Sequence, residues 1–374
     1  MKLKDRAIRK TQTSEKNMDR EDVSKIPLVL AAEDRKAILL FVTLTSILEH
    51  AKESTVYEVH LLLYDDFSEE NRERLELVTR SYPRHSVIVH RPDDLNLRNL
   101  AFADYYRLML PLLLPEVEKC ICLDTNLVVL RDLSKLYQIN IDGQYLAGVR
   151  AAEYYWPDQR VNRKIETLEL PSIEQYIDTG VLLMNLAKMR NDHMEQIFEA
   201  LIHRNFDDQE QDVLNKACYG KIRLLPPRYN LMTDYDLLAE DSYKRQLRLQ
   251  MAYTLAEWNN ALERPVIIHY KGELGPWNDL SIDYSEQWWK IAAKLPFFQD
   301  VFMQCIPDLQ VSARRGYSKI QLEKEVQYLK DEMEVQKAEA VNAVKSTVTF
   351  KVGAAAVYIP RMIKNGLGVW KLRN

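Results

Sequence analysis

The sequence lacks the features of a membrane-spanning or secreted protein. No apolar run approaches the ~18–20 residues needed to cross a bilayer, and residues 1–25 are too polar to contain the apolar core of a secretory signal. Cysteine is scarce, with 4 among 374 residues, and no Cys and His spacing is typical of a zinc site. We therefore expect reduced thiols in the core of a cytosolic protein.

A strong charge imbalance is also absent. The 51 Lys and Arg residues nearly balance the 55 Asp and Glu residues, which gives a formal net charge of −4. Nucleic-acid-binding proteins usually carry a clear basic excess, so we do not expect a nucleic-acid partner. No Gly-x-Gly-x-x-Gly motif follows the first predicted strand, which argues against an ordinary dinucleotide-binding fold.

The sequence does contain a regular alternation of apolar strands and amphipathic helices. The pattern predicts a strand at Leu28–Ala32, a helix at Lys36–Ala51, a strand at Val56–Leu63, a charged helix capped by Ser68 and a strand at Val87–Val89. Strands that alternate with helices in this way are typical of a parallel, Rossmann-like half of an α/β domain.

The stretch Lys119–Leu133 contains a short apolar run that ends on Asp124, with Asn126 two residues later. Ligands of open α/β sheets bind outside the carboxyl ends of such strands. Carboxylate and amide oxygens there suit Mg²⁺ or Mn²⁺, which often bridge to phosphates. On these residues alone, a solvated turn that uses Asp and Asn in their usual turn roles remains an alternative.

Two more polar side chains lie within apolar segments. Asp104–Leu110 predicts a short helix that leads to Pro111, and Arg107 inside it either snorkels to solvent or clamps a phosphate or carboxylate. His269 lies in the predicted strand Val266–Tyr270 and is either a structural histidine or a ligand.

Between these positions the pattern is more varied. Residues 151–176 are aromatic and charged and predict a loop-rich excursion. Asp178-Thr179-Gly180 forms a polar elbow before the apolar run Val181–Met184. Helices are predicted at Arg190–Arg204 and at Asp207–Ala217, the second with an acidic first turn.

Four stretches occur in a characteristic order: LVLAAED (28–34), YYRLML with CLDTNLVV (105–110 and 122–129), IDTGVLLMN with EQDVLN (177–185 and 210–215) and HYKGELGPW (269–277). Their order and spacing resemble the family 8 retaining glycosyltransferases, which include bacterial lipopolysaccharide galactosyl- and glucosyltransferases and glycogenin. The resemblance implies a GT-A fold, an α/β architecture with a Rossmann-like mixed sheet flanked by helices. It also implies a nucleotide-sugar donor, usually a UDP-hexose such as UDP-glucose or UDP-galactose.

The resemblance further implies the residues of the site. Asp124, Asn126 and His269 would hold Mn²⁺ or Mg²⁺, which neutralises the charge that develops on the leaving diphosphate. Gln211, Asp178 and Glu210 would form the catalytic group, with same-face attack by the acceptor and transfer of its proton to the leaving phosphate. Donor contacts are implied for Ala31, Ala32, Glu33, Asp34, Arg35, Arg107, Asp124, Thr125, Thr179, Gly180, Asp212, His269, Lys271 and Gly272.

This chain departs from the family pattern where charge matters. Asn126 replaces the second Asp of the metal pair, and Asp178 replaces the usual Asn or Ser of the elbow. The remaining departures are Glu210 for Asp, Glu33 and Arg35 in the first loop, and Gly275 in place of a lysine, with Lys271 four residues earlier. We interpret this as a retained sugar-transfer scaffold with an altered grip on phosphate and metal.

The composition changes after Pro307. Leu322, Val326, Leu329 and Met333 form a short heptad seam, which would suit a homodimer or a partner enzyme. Residues 341–374 contain no Asp or Glu and interleave Lys and Arg with aromatic and aliphatic residues. Such a segment is typical of one that lies on an anionic membrane; the alternative is a helix packed on the domain or on a partner.

We thus predict a flexible polar leader at 1–26, a GT-A domain at 27–300, a helical extension with the heptad seam at 301–345 and a basic amphipathic membrane-surface tail at 346–374. The predicted protein is a retaining hexosyltransferase, cytoplasmic and peripheral on the inner face of the cell membrane. Its acceptor would be a glycan or lipid-linked glycan of the cell envelope.

The alternative function is that of a degenerate, non-catalytic family member, which binds a glycan or acts as a scaffold. Asn126 and Gly275 favour this alternative. The joint presence of Arg107, Asp124, Gln211 and His269-Tyr270 opposes it, because a decayed site has no reason to keep them together.

Overall fold

The structure is a computed structural model that describes residues 25–64, 66–90, 102–151, 159–204, 206–233, 253–272 and 274–312. Its contacts divide the chain into two units, Met1–Ile306 and Pro307–Asn374. The predictions for the leader before Lys25, for the heptad seam and for the basic tail lie outside the described residues.

The strands of the described residues form two sheets. They are β1 (Ile26–Ala32), β2 (Tyr57–Leu63), β3 (Ser86–His90), β4 (Lys119–Leu123), β5 (Leu127–Val129), β6 (Leu146–Arg150), β7 (Ile177–Asn185), β8 (Ile222–Leu225), β9 (Leu231–Met232) and β10 (Ile267–His269). The larger sheet has seven strands in the order β3-β2-β1-β4-β7-β6-β8, and the smaller has three in the order β5-β10-β9.

The helices flank these sheets. They are α1 (Ala37–Glu49), α2 (Glu69–Arg80), α3 (Phe102–Leu113), α4 (Ser134–Tyr137), α5 (Gln159–Leu168), α6 (Leu186–Asn191), α7 (Met194–Ile202), α8 (Gln209–Ala217), α9 (Leu255–Glu263) and α10 (Ser285–Ala292). A further helical stretch begins at residue 298. Among the described residues, no helix combines the length and apolar character that crossing a bilayer demands.

The predicted parallel half is confirmed. Strand β1 pairs in parallel with β2 and β4, and β2 pairs in parallel with β3. The central β1 residues Leu28, Val29 and Leu30 are fully buried, because helices cover both faces of a parallel sheet. Ser68 caps α2 as predicted, since its hydroxyl accepts a hydrogen bond from the Asn71 N–H at 3.3 Å.

Strand β7 makes the sheet mixed. It pairs in antiparallel fashion with β4 on one side and with β6 on the other. The sequence predicts Asp178-Thr179-Gly180 as an elbow that precedes the strand, whereas the structure includes all three residues in β7. The polar side chains belong to the strand because its backbone pairing continues to Gly180, whose C=O accepts the Asp124 N–H at 2.9 Å.

Three secondary-structure predictions were wrong. Residues 159–168 of the predicted loop form α5, whose many charged residues disguised a helical period. Helix α3 continues to Leu113 beyond Pro111, because a proline so close to the end removes only one backbone donor. The single helix predicted at 190–204 is divided into α6 and α7 by His193, which has a left-handed φ of 53°.

The cysteine prediction agrees with the structure. Cys120, Cys122, Cys218 and Cys305 are all buried, as predicted for core residues. Burial in apolar surroundings raises the pKa of the Cys122 thiol to about 11, so this group is an inert core residue rather than a nucleophile.

Candidate functional site

Asp124 lies where the central strand of the large sheet ends. Strand β4 runs parallel to β1, so Asp124 follows at the same edge as the first loop after Ala32. The antiparallel register places Val181 opposite Leu123, and this pairing brings the start of β7 beside Asp124. Opposite chain directions therefore place the carboxyl end of β4 and the amino end of β7 at one point.

The small sheet supplies the second part of the site. Strand β10 pairs with β5 so that His269 lies opposite Leu127. The next pair is bound through the backbone, since the Tyr270 N–H donates to the Asn126 C=O at 3.0 Å. As a result, His269 Nε2 lies 3.6 Å from Asp124 Oδ2. The structure thus places the side chains of Asp124 and His269 next to each other, and it binds the Asn126 backbone to Tyr270, the residue after His269.

Gly180 is required for this close approach. A Cβ atom at position 180 would lie 2.8 Å from His269 Nδ1 and 3.0 Å from Asp124 Oδ2. Real Cβ atoms do not come so close to ring or carboxylate atoms, so any side chain at this position would push His269 away from Asp124. The glycine of the motif is explained by this packing.

Arg107 does not snorkel to solvent. It is 7% exposed, and its guanidinium forms ion pairs with both Glu210 and Asp124. The Arg107 backbone N–H also donates to Glu210 Oε1 at 2.7 Å. A kink in α3 at Tyr105, two residues before Arg107, accompanies this arrangement. Arg107 therefore joins α3, α8 and the end of β4, and it fixes the orientation of the Asp124 carboxylate.

Asp178 is the most deeply buried carboxylate of the predicted catalytic group. It is 2% exposed and accepts hydrogen bonds from the Gly180 N–H at 2.9 Å and from Asn230 Nδ2 at 2.8 Å. Lys271 Nζ lies 3.1 Å from its other oxygen. Burial alone would raise the pKa of the Asp178 carboxyl, but the Lys271 ammonium and the His269 contact hold that pKa well below its usual value.

Gln211 belongs to a polar network beside Thr179, near the start of β7. Its Oε1 accepts hydrogen bonds from the Thr179 N–H at 3.2 Å and the Thr179 hydroxyl at 3.4 Å, and its Nε2 donates to the Tyr176 hydroxyl at 3.2 Å. The Tyr176 hydroxyl in turn donates to Asp212 Oδ1 at 2.6 Å. Both ends of the Gln211 amide are therefore oriented by the protein.

Lys164 supplies the positive charge of this network. Its ammonium lies 2.9 Å from Asp208 Oδ2 and 2.8 Å from Asp212 Oδ2. Neither Lys164 nor Tyr176 belongs to the site predicted from the sequence. Lys164 carried a usable signal, because it lies three residues after Val161 and four before Leu168, on the apolar face of α5.

The loop after β1 contributes in part to the stability of the fold. Asp34 Oδ1 accepts hydrogen bonds from the Ser68 N–H at 2.8 Å, the Ser68 hydroxyl at 2.7 Å and Asn71 Nδ2 at 2.7 Å, at the start of α2. Glu33 and Arg35 form an ion pair with each other. Ala32 is buried at the end of β1, so Ala31, Glu33 and Arg35 present more surface than Ala32 to a ligand.

The remaining predicted contact residues have clear structural settings. Thr125 is 7% exposed, and its C=O accepts a hydrogen bond from the Thr43 hydroxyl of α1 at 2.5 Å. Gly272 has a φ of +96°, which strongly favours glycine in the turn after Lys271. The Lys271 side chain is one-quarter exposed and approaches the site from this turn.

The side chains near Asp124 suit a divalent ion, with less charge than a site that has two carboxylates. Two atoms bound to one ion at ~2.1–2.2 Å must lie within ~4.4 Å of each other, and Asp124 Oδ2 and His269 Nε2 meet this condition at 3.6 Å. Asn126 Nδ2 donates to the Tyr270 C=O at 3.0 Å, so its uncharged Oδ1 is the remaining ligand atom. Within the described ranges, no three His, Cys, Asp or Glu side chains form a metal-binding group.

Sequence comparison finds a matching protein family. The sequence model described as Glycosyl transferase family 8 matches residues 27–281. General stress protein A of Bacillus subtilis (strain 168) is 24% identical over 273 residues, which cover 67% of this chain and 87% of that protein. A putative glycosyltransferase of Haemophilus influenzae is 28% identical over 211 residues, which cover 53% of this chain and 61% of that protein.

Structural comparison agrees with the sequence match. The crystal structure of the galactosyltransferase LgtC in complex with donor and acceptor sugar analogues is similar to this chain with a TM-score of 0.57 and 22% sequence identity. The match covers 72% of this chain and 96% of LgtC. At this identity, the likeness demonstrates a shared fold.

Proposed function

Because the chain belongs to glycosyl transferase family 8 and has the GT-A fold, we propose that it is a retaining hexosyltransferase. Its donor would be a UDP-hexose, UDP-glucose or UDP-galactose, and its acceptor a glycan or lipid-linked glycan of the cell envelope. The observation that supports this best is the convergence of Arg107, Asp124, Gly180, Glu210 and His269, which come from five separate segments, around one sheet edge.

The proposed roles follow from the contacts. Asp124, Asn126 and His269 would hold Mn²⁺ or Mg²⁺, and the bound ion would neutralise charge on the leaving diphosphate. Arg107 keeps the Asp124 carboxylate oriented through their ion pair. The Gln211 amide, held between Thr179 and Tyr176, would face the donor sugar from the side of the elbow.

A panel of UDP-hexoses tests the proposal. The protein should release UDP from at least one of them in the presence of Mn²⁺, and the same donor should raise its melting temperature. Asp124→Ala should remove the metal-dependent binding of the donor while the fold survives, because Asp124 provides the charged oxygen ligand. The matched control is Asp142→Ala, which removes an exposed carboxylate outside the site.

Two outcomes would contradict the proposal. If Asp124→Ala bound donor as tightly as the parent, Asp124 would not be part of the donor site. If the correctly folded parent neither hydrolysed nor bound any donor, the non-catalytic alternative, a glycan-binding or scaffold protein, would be favoured instead.

The location that we propose is inferred from the composition of the C-terminal segment. Residues 341–374 combine six Lys and Arg residues, at positions 345, 351, 361, 364, 371 and 373, with no Asp or Glu. Each basic residue near an anionic surface contributes ~1 kcal/mol of attraction, and the interleaved aromatic and aliphatic side chains add apolar burial. We propose peripheral binding to the inner face of the cell membrane, where a lipid-linked acceptor would be accessible.

A further inference from the structure

The two ring nitrogens of His269 have different neighbours. Nδ1 lies 3.0 Å from Asn230 Oδ1 and 3.5 Å from Asp178 Oδ1, whereas Nε2 faces Asp124 Oδ2 at 3.6 Å. A neutral imidazole carries its proton on only one nitrogen, and its neighbours decide which one. The side chains around Nδ1 therefore determine what Nε2 can do.

The orientation of the Asn230 amide settles the position of the proton. Asn230 Nδ2 lies 2.8 Å from Asp178 Oδ1, and an ionised carboxylate can only accept a hydrogen bond. The NH₂ group of Asn230 must therefore face Asp178, which leaves its oxygen facing His269. Because that oxygen also only accepts, Nδ1 of His269 is the donor, and in the neutral ring the lone pair therefore lies on Nε2.

We propose that Asp178 and Asn230 are positioning residues that set the tautomer of His269, so that Nε2 presents its lone pair beside Asp124. In this hydrogen-bond relay from Asp178 through Asn230 to His269, Asp178 orients Asn230 and Asn230 accepts a hydrogen bond from Nδ1. Nε2 is then left as a ligand for a divalent ion. This inference rests on the proposed function, because an unprotonated Nε2 is useful only if an ion binds there. The hydrogen bonds among Asp178, Asn230 and His269 do not depend on that function. It gives Asp178 a supporting role in place of the donor-sugar contact implied by the family resemblance.

The Asp178 carboxylate is well suited to start this relay. It is held by the Gly180 N–H at 2.9 Å and by Lys271 Nζ at 3.1 Å, and it is 2% exposed. Asn230 is equally enclosed at 1% exposed, directly after the turn Pro227–Tyr229. Both side chains are enclosed and hydrogen-bonded to each other, so the orientation of Asp178 determines that of Asn230.

The tautomer can be measured directly without metal or substrate. Two-bond ¹H–¹⁵N spectra of the full-length protein labelled with ¹⁵N-histidine distinguish a protonated ring nitrogen from an unprotonated one, and His269→Ala assigns the signals. We expect the proton of His269 on Nδ1 in the parent. In Asn230→Ala, which lacks the acceptor, we expect a mixture of both tautomers. A parent with the proton on Nε2 would overturn the proposal, whether or not any variant folds.

Calorimetry with Mn²⁺, alone and with UDP, supplies the second readout. Loss of an outer partner of a metal-binding histidine typically costs 10–100-fold in metal affinity, and we expect a loss in this range for Asn230→Ala. Asp178→Asn should lose less, since its amide oxygen still accepts from Asn230. The matched control is Asn215→Ala, which removes a buried asparagine bound to the backbone of Ile177 at 2.7 Å and 2.9 Å and should leave the Mn²⁺ affinity unchanged.

The two proposals fail in different ways. If the parent binds Mn²⁺ and Asn230→Ala binds it equally well, the relay is refuted and the proposed function is untouched. If the parent binds no Mn²⁺ even with UDP, the metal-dependent function is refuted, and with it the purpose assigned to the relay.

Discussion

Replacement of Lys164 by methionine should strongly destabilise the protein. The Lys164 side chain is 8% exposed and that of Asp212 is 1% exposed, so Lys164→Met leaves a buried carboxylate without its cation. Removing one partner of a buried ion pair typically costs ~3–5 kcal/mol. Asp212 keeps two hydrogen bonds, from the Tyr176 hydroxyl at 2.6 Å and the Asp208 N–H at 2.9 Å. We therefore expect the lower end of the range, about 3 kcal/mol.

Urea unfolding measures this loss. The midpoint should fall with an unchanged slope, because the substitution alters stability and not the surface exposed on unfolding. Addition of Asp212→Asn should recover part of the loss, since the uncompensated charge disappears; coupling energies of neighbouring groups are ~0.5–3 kcal/mol. Lys188→Met is the matched control, because its partner Asp192 is 37% exposed and such surface pairs contribute ~0–1 kcal/mol. Equal losses for the two lysine variants would refute the reasoning.

Two further predictions concern the ion and the membrane. Asn126→Asp should tighten Mn²⁺ binding by about 1–3 kcal/mol in calorimetry, because it adds a negative charge to the ligand set. If the parent is fully active in EDTA and the substitution changes nothing, no ion takes part. Deletion of residues 341–374 should abolish co-sedimentation with anionic vesicles at low salt while neutral vesicles stay unbound, and unchanged sedimentation would end the proposal of membrane binding.

The sheet was largely predictable from the sequence because its central strands are continuous apolar runs. Strands β1 and β2 agree with their predictions within one or two residues at each end, and β4 ends at Leu123, where the apolar run before Asp124 ends. Helix α5 was missed because charged and polar residues dominate its composition, although Val161, Lys164 and Leu168 keep the spacing of one helical face. The break at His193 depends on a left-handed backbone that is uncommon for any residue other than glycine, and sequence patterns do not reveal such an exception.

The residues of the site were predictable only where they belong to a sequence motif of the family. Asp124 and His269 were associated through family resemblance, and the structure brings them together through the pairing of β5 with β10. Asn230 belongs to none of the motifs, and its role arises from three chain segments that meet only after folding. Long-range polar networks of this kind leave no periodic trace in the sequence.

The pair formed by Asp178 and Lys271 also bears on how this variant of the site could have arisen. Asp178 is almost fully enclosed, whereas the Lys271 side chain is 25% exposed. An unpaired carboxylate at position 178 would therefore cost more free energy than an unpaired ammonium at position 271. A lysine introduced first could hydrate its ammonium, but an aspartate introduced first would be a buried charge without a counterion. The physically accessible order of substitution is therefore lysine before aspartate. A stability cycle tests this order: Lys271→Met should lose more unfolding free energy than Asp178→Asn, and equal losses would remove the constraint on the evolutionary path.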